Sequence, residues 1–174
     1  MTAAPPVRAR PARPADTDAI GEIHVRTWHA AYRGILPDST LAAMDPRVQA
    51  AMWSRVLRPN ARTRLVVVER DGAVVGFAAY GPHRESDVGD EAGELYAIYV
   101  SPEAWGAGAG HALMAAVVDG LRASGKTAAV LRVLGANERA RRFYEREGWV
   151  FDRETEPYQA DGVAVPEVRY RKVL

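Results

Sequence analysis

The sequence predicts an α+β domain with a mixed, mostly antiparallel central sheet of about seven strands and helices on both faces. Three observations predict it. Short β-type runs and longer helix-period segments follow one another in the order β-α-α-β-β-β-α-β-α-β-β. The runs "RLVVVE" and "AVVGFAAY" flank Asp71-Gly72, a pair suited to the left-handed backbone of a two-residue hairpin. Residues 93–134 read strand, helix, strand, the pattern of a right-handed parallel crossover. One crossover among hairpins makes a mixed sheet, and such a sheet is covered on both faces.

Taken in order, residues 1–6 read as a loose tail and 7–174 as one domain. Residues 7–10 form a short strand. Asp16 is placed to cap a helix that carries Ile20, Ile23, Thr27, Trp28 and Ala31 on one side and ends near Gly34. "LPDSTLAAM" and "PRVQAAMWSRVL" continue the helical region. After the hairpin, residues 82–92 are a polar loop, and "GELYAIYV" is a strand stopped by Ser101-Pro102. Leu113, Met114, Val117, Val118 and Leu121 make one face of the next helix. "AAVLRVL" is a buried-type strand. "NERARRFYEREG" is a helix between an Asn137 cap and Gly148, and "WVFDRE" and "EVRYRKVL" are the last strands.

Composition narrows the function. The 174 residues are 48% hydrophobic and 26% charged, ordinary for a globular chain, and the net charge of +1 calls for neither nucleic acid nor a membrane as partner. There is no cysteine, which excludes disulfides, thiolate metal sites and a cysteine nucleophile and fits a cytoplasmic protein. No apolar run reaches the roughly 20 residues of a membrane span. The four histidines, at 24, 29, 83 and 111, have no metal-type spacing, so no metal is expected.

The stretch "AWGAGAGHAL", residues 104–113, joins a strand to a helix. Free amides and the peptide dipoles at a helix start favour an anion, and glycine lets it approach the backbone. A tight turn is the plainer alternative. The dinucleotide pattern G-x-G-x-x-G fails here, because the third glycine would fall on His111 or Leu113. "GLRASGKT", residues 120–127, matches the P-loop pattern letter for letter, but a helix precedes it and a strand follows. That is the reverse of the required order, and the segment reads as a helix end stopped at Gly125.

Four pieces in this order resemble the GCN5-related N-acetyltransferase (GNAT) superfamily: "ELYAIYVSPEAWGAGAGHALM", "NERARRFYEREGWV", the hairpin "VVVERDGAVVGFAAY", and "WHAAYRGILPD". The likeness spans about residues 7–173. The family pattern [RQ]-x-x-G-x-[GA] reads Trp105-Gly106-Ala107-Gly108-Ala109-Gly110 here, so a tryptophan stands where arginine or glutamine is usual. The resemblance implies an acyl-CoA N-acyltransferase-like fold and acetyl transfer from acetyl-CoA to an amine, either of a small molecule or an amino group of a protein. It implies that Ile98, Tyr99 and Val100 hold the pantetheine arm, with the Ile98 and Val100 backbone pairing like a neighbouring strand. The loop from Trp105 through Gly106, Ala107, Gly108, Ala109 and Gly110 to His111 would hold the pyrophosphate. Asn137 would lie near the thioester and Tyr144 near the sulfur.

The chemistry adds its own requirements. An alkyl amine, with a pKa of about 10.4, must lose a proton before it attacks a thioester. Glu94 is the candidate base or water-positioner, sharing an ideal strand face with Tyr96 and Ile98; a plain charged strand end is the alternative. The leaving thiolate takes a proton, for which Tyr144 holds the family's donor position. Trp28, Tyr32, Tyr80 and Glu94 are the candidate acceptor contacts, with core packing the plainer reading for Trp28 on the apolar face of its helix. A CoA-binding regulatory module without transfer is the competing reading. A homodimer through an exposed "EVRYRKVL" edge is a further expectation.

Overall fold

Residues 7–174 are described in this computed structural model; the tail expected at 1–6 lies outside them. Strand β1 (Arg8–Pro11) leads through a 3-10 turn into α1 (Thr17–Tyr32), followed by α2 (Asp38–Ala42) and α3 (Pro46–Ser54). Then come β2 (Arg64–Arg70), β3 (Ala73–Pro82), β4 (Ala92–Val100), α4 (Ala109–Ala123), β5 (Ala128–Leu134), α5 (Glu138–Arg146) and β6 (Val150–Glu154). The small strands β7 (Tyr158–Ala160) and β8 (Val163–Val165) precede β9 (Glu167–Val173). Seven strands form one sheet in the order β1-β2-β3-β4-β5-β9-β6, antiparallel except for the parallel pair β4–β5.

The local chemistry explains the main joints. Asp71 and Gly72 both take positive φ and close the β2–β3 hairpin. Lys126 N–H donates to Leu121 O and Gly125 N–H to Arg122 O, a double bond pattern that ends α4 with Gly125 left-handed. "GLRASGKT" is therefore a helix C-terminus. Asp16 departs from expectation. Its carboxylate accepts from Arg10 at 2.7 and 2.9 Å and from Arg13 N–H at 2.7 Å, tying the 3-10 turn to β1 rather than capping α1.

Two apolar layers cover the sheet. On one face, Leu113, Met114, Val117 and Leu121 of α4 pack on Val66, Val68 and Leu95, with Tyr144 of α5 and Tyr170 in the same cluster. On the other, Ile20 and Ile23 of α1 and Trp53 of α3 pack on Val67, Phe77 and Ala97. Gly21 permits the α1–α3 approach, since a Cβ there would lie 2.2 Å from Pro46 O. Strand β9 inserts between β5 and β6, so "EVRYRKVL" is not the free edge expected of a dimer contact; the edge strands of the sheet are β1 and β6. No helix of the described residues is long and apolar enough to cross a membrane.

Candidate active site

The parallel pairing of β4 with β5 stops after Leu95↔Leu131. Beyond it β4 runs on to Val100 and β5 to Leu134 without partnering each other, so the sheet opens into a wedge. A bulge marks the opening. Tyr80 faces Leu95 while Ala79 faces Ala97, which leaves Tyr96 as the extra residue of β4. A cleft of about 610 Å3 fills the wedge.

The bulge shifts the side-chain phase. Leu95 and Ile98 both pack toward α4, whereas Ala97 and Tyr99 pack toward α1. The ideal alternation that put Glu94 on one face with Ile98 therefore fails at Tyr96. On the backbone, Ser101 N–H donates to Val75 O at 2.8 Å. Antiparallel alternation then turns the Tyr99 peptide groups to β3 and those of Ile98 and Val100 into the wedge. The Val100 carbonyl is already engaged, accepting from Trp105 Nε1 at 2.7 Å and from Thr27 Oγ1 at 3.2 Å. The Val100 N–H and both Ile98 groups are the ones left to a ligand.

The phosphate-type loop lies at the wide end. Gly106 and Gly108 take φ of 78° and 82°, a conformation that strains any side chain. Ala112 N–H makes the first helical bond of α4, to Gly108 O, so the amides of Ala109, Gly110 and His111 emerge at the helix start without a backbone partner among the described residues. Trp105 braces the loop with its bond to Val100 and with Arg139, whose guanidinium lies 3.7 Å over the indole ring. Burial, and then the like charge of Arg146, lowers the Arg139 guanidinium from its usual value. Arg139, Arg142 and Arg146 all line this end of the cleft, which suits an anion. These amides, glycines and arginines fit a pyrophosphate.

Along the α5 wall, Asn137 Oδ1 caps the helix by accepting from Ala140 N–H at 3.2 Å, and the residue lines the cleft. Tyr144 lines it too; burial holds its phenol well above the usual value, so it keeps its proton. Tyr32 enters from α1. Burial, with the Tyr99 and Tyr144 phenols beside it, raises Tyr32 well above its ordinary range.

Of the expected site residues, Tyr32, Ile98, Tyr99, Val100 and Trp105 line this cleft. Gly106, Gly108, Gly110, His111, Asn137 and Tyr144 do so as well. Ala107 and Ala109 lie in the same loop without lining it. Three acceptor candidates fall elsewhere. Trp28 packs edge-on to Tyr32 at 5.0 Å, behind the wall. Tyr80 faces α4, its hydroxyl 2.0 Å from where a Cβ on Gly120 would sit, because "AVVGFAAY" is apolar throughout and gives no sign of which face each residue takes. Glu94 is 1% exposed and does not line the cleft; its carboxylate accepts from Arg84 Nη2 at 2.6 Å, Arg84 Nε at 3.2 Å and Arg84 N–H at 2.9 Å. Thr27, Tyr96 and Arg132 also line the cleft without a site role expected from the sequence, and Arg139 lines it too. Of these, only Arg139 carried a cue, in the arginine cluster of α5.

Comparison with known proteins identifies a family and agrees with the fold. The profile of the Acetyltransferase (GNAT) family matches residues 22–149. An uncharacterized N-acetyltransferase of Bacillus subtilis, YuaI, is 36% identical over 110 residues, 63% of this chain and 61% of that protein. The L-amino acid N-acyltransferase MnaT of Escherichia coli is 32% identical over 141 residues, 80% of this chain and 77% of that one. Among solved structures, a putative acetyltransferase of Salmonella typhimurium, yncA, with acetyl-CoA as its cofactor, aligns with a TM-score of 0.73 at 24% identity, covering 97% of this chain and 94% of that one.

Proposed function

The chain belongs to the acetyltransferase (GNAT) family, and from that premise we propose that it moves the acetyl group of acetyl-CoA onto an amine by direct attack in a ternary complex. The observation that carries the proposal is the β4–β5 wedge, which opens beside a helix start with unpaired amides. Acetyl-CoA, when bound, supplies an activated acetyl thioester.

The chain's own groups have separate tasks. The amides of Ala109, Gly110 and His111 hold the pyrophosphate, with Gly106 and Gly108 clearing the approach. The Ile98 groups and the Val100 N–H pair with the pantetheine arm. An Ile98 amide facing the wedge is also placed to stabilise negative charge on the acyl oxygen. Tyr144, a phenol that lines the cleft and is protonated at neutral pH like any tyrosine, gives its proton to the leaving sulfur. Tyr32 and Tyr96 bound the acceptor side. Glu94 takes the amine's proton only when the Arg84 guanidinium gives way, since among the described residues its donors are that guanidinium and the Arg84 backbone N–H. The name of the Escherichia coli relative makes amino acids the first acceptors to try. A cysteine-free chain using acetyl-CoA suits the cytoplasm.

The test is release of free CoA thiol from acetyl-CoA with a panel of primary amines, repeated on Tyr144→Phe. Turnover is expected with at least one amine, and kcat is expected to fall about 10²-fold in the variant with acetyl-CoA affinity kept. Binding without turnover across the panel would instead support the CoA-holding module.

A further inference from the structure

We propose that Arg84 is an internal stand-in for the acceptor's ammonium, filling a cation subsite built by Glu94 and Tyr96 for which a cationic amine competes. Calling that cation the acceptor rests on the transferase reading above; the subsite itself does not.

A carboxylate as buried as Glu94 needs a cationic or hydrogen-bonding partner. Among the described residues Arg84 provides all three of its donors, from the guanidinium and from its own backbone N–H. The guanidinium carbon also stands 4.7 Å over the Tyr96 ring. A buried carboxylate beside an aromatic face is a cation site, and here its occupant belongs to the chain. The Arg84 side chain is 67% exposed against 2% for that of Glu94, so the occupant meets water while the receptor does not.

The occupant is also free to leave. Its loop, residues 83–91, is held by other contacts. Arg132 binds Glu85 at 2.5 and 2.8 Å, Arg169 binds Asp87 at 2.7 and 3.0 Å, and Lys126 Nζ donates to Asp90 O at 2.6 Å. Losing the Glu94 contact therefore does not release the loop. The subsite adjoins the cleft, because Tyr96 is both the ring under Arg84 and the bulged residue at the mouth of the wedge. Exchange of one cation for another keeps the buried carboxylate neutralised, which an acceptor without an ammonium group cannot do. The acceptor class this selects is the cationic alkyl amine.

The probe is methylammonium chloride, with sodium chloride at matched ionic strength as control and thermal unfolding as readout. Arg84→Ala is expected to melt below the wild type and to be restored saturably by methylammonium. Its half-effect concentration should be about fivefold lower than in the wild type, the effect of removing a partly exposed competing pair. Arg84→Ala combined with Glu94→Gln should show no restoration. Should Arg84→Ala fail to fold, Arg84→Gln, which keeps a donor without the charge, takes its place. No stabilisation beyond sodium chloride, or equal stabilisation of the double variant, would overturn the subsite. In turnover, Arg84→Ala should lower KM for alkyl amines and leave acetyl-CoA affinity unchanged. Methylammonium binding without any amine turnover would keep the subsite and remove its assignment to the acceptor.

Discussion

Trp105 occupies the position that the family pattern gives to arginine or glutamine, yet its indole N–H still ties the phosphate loop to Val100. Trp105→Phe keeps a ring under Arg139 and loses the hydrogen bond. A net loss of about 1 kcal/mol should weaken acetyl-CoA binding about fivefold by calorimetry, and an unchanged Kd would show that the brace does not matter. His24 gives a second test. It is 5% exposed, accepts from Trp53 Nε1 at 3.0 Å and stacks on Tyr99, and burial pushes it down to about 4. The unfolded chain binds this proton below its ordinary value of 6.5 and the folded chain does so only near 4. Stability is therefore lost as pH falls through that window, by up to about 3 kcal/mol. His24→Gln, which keeps an acceptor for Trp53, should flatten that loss in denaturant melts, and an unchanged pH profile would contradict this reading. Residue types were legible here: the glycines, Asn137 and Tyr144 could be read from their motifs. Orientation was less so, since an extra residue such as Tyr96 leaves no mark in a strand's alternation and misdirected Glu94.

Loop 83–91 shows the same limit one level up. The sequence marks it as polar and no more. Its anchorage depends on strand register, which sets Arg132 of β5, Arg169 of β9 and Arg153 of β6 side by side. Arg169, 3% exposed, bonds to Asp87 and Asp152. Arg169→Met leaves Asp87 with Arg153 at 3.0 Å and takes from the partly hydrated Asp152 its arginine, for an expected loss of about 1–2 kcal/mol in denaturant unfolding; a loss within error would contradict the clasp. Arg169 also holds Asp87 down at about 2, below its usual 3.8, so the clasp is intact above the unfolded value and is lost as pH falls from about 4 toward 2. The β7–β8 hairpin was missed for another reason. Asp161-Gly162 marks its turn as Asp71-Gly72 marks the first, but the flanking strands have three residues each, too short for a periodic signal.

Across the whole molecule, local patterns carried the order of elements and the crossover, because hairpins, helix periods and caps are written in neighbouring residues. The insertion of β9 between β5 and β6 joins residues far apart in the chain, and no local pattern encodes it. The wedge combines both kinds of information: a motif-bearing loop beside a pairing that stops at Leu95↔Leu131. The central claim is that this wedge holds acetyl-CoA by its pyrophosphate. Calorimetric titration of acetyl-CoA into the wild type and Gly108→Val tests it most directly, since Gly108 stands at a φ of 82° that valine tolerates poorly. The expected result is saturable binding to the wild type that the substitution abolishes while the fold survives. Absence of binding to the wild type, or equal binding to both, would contradict it.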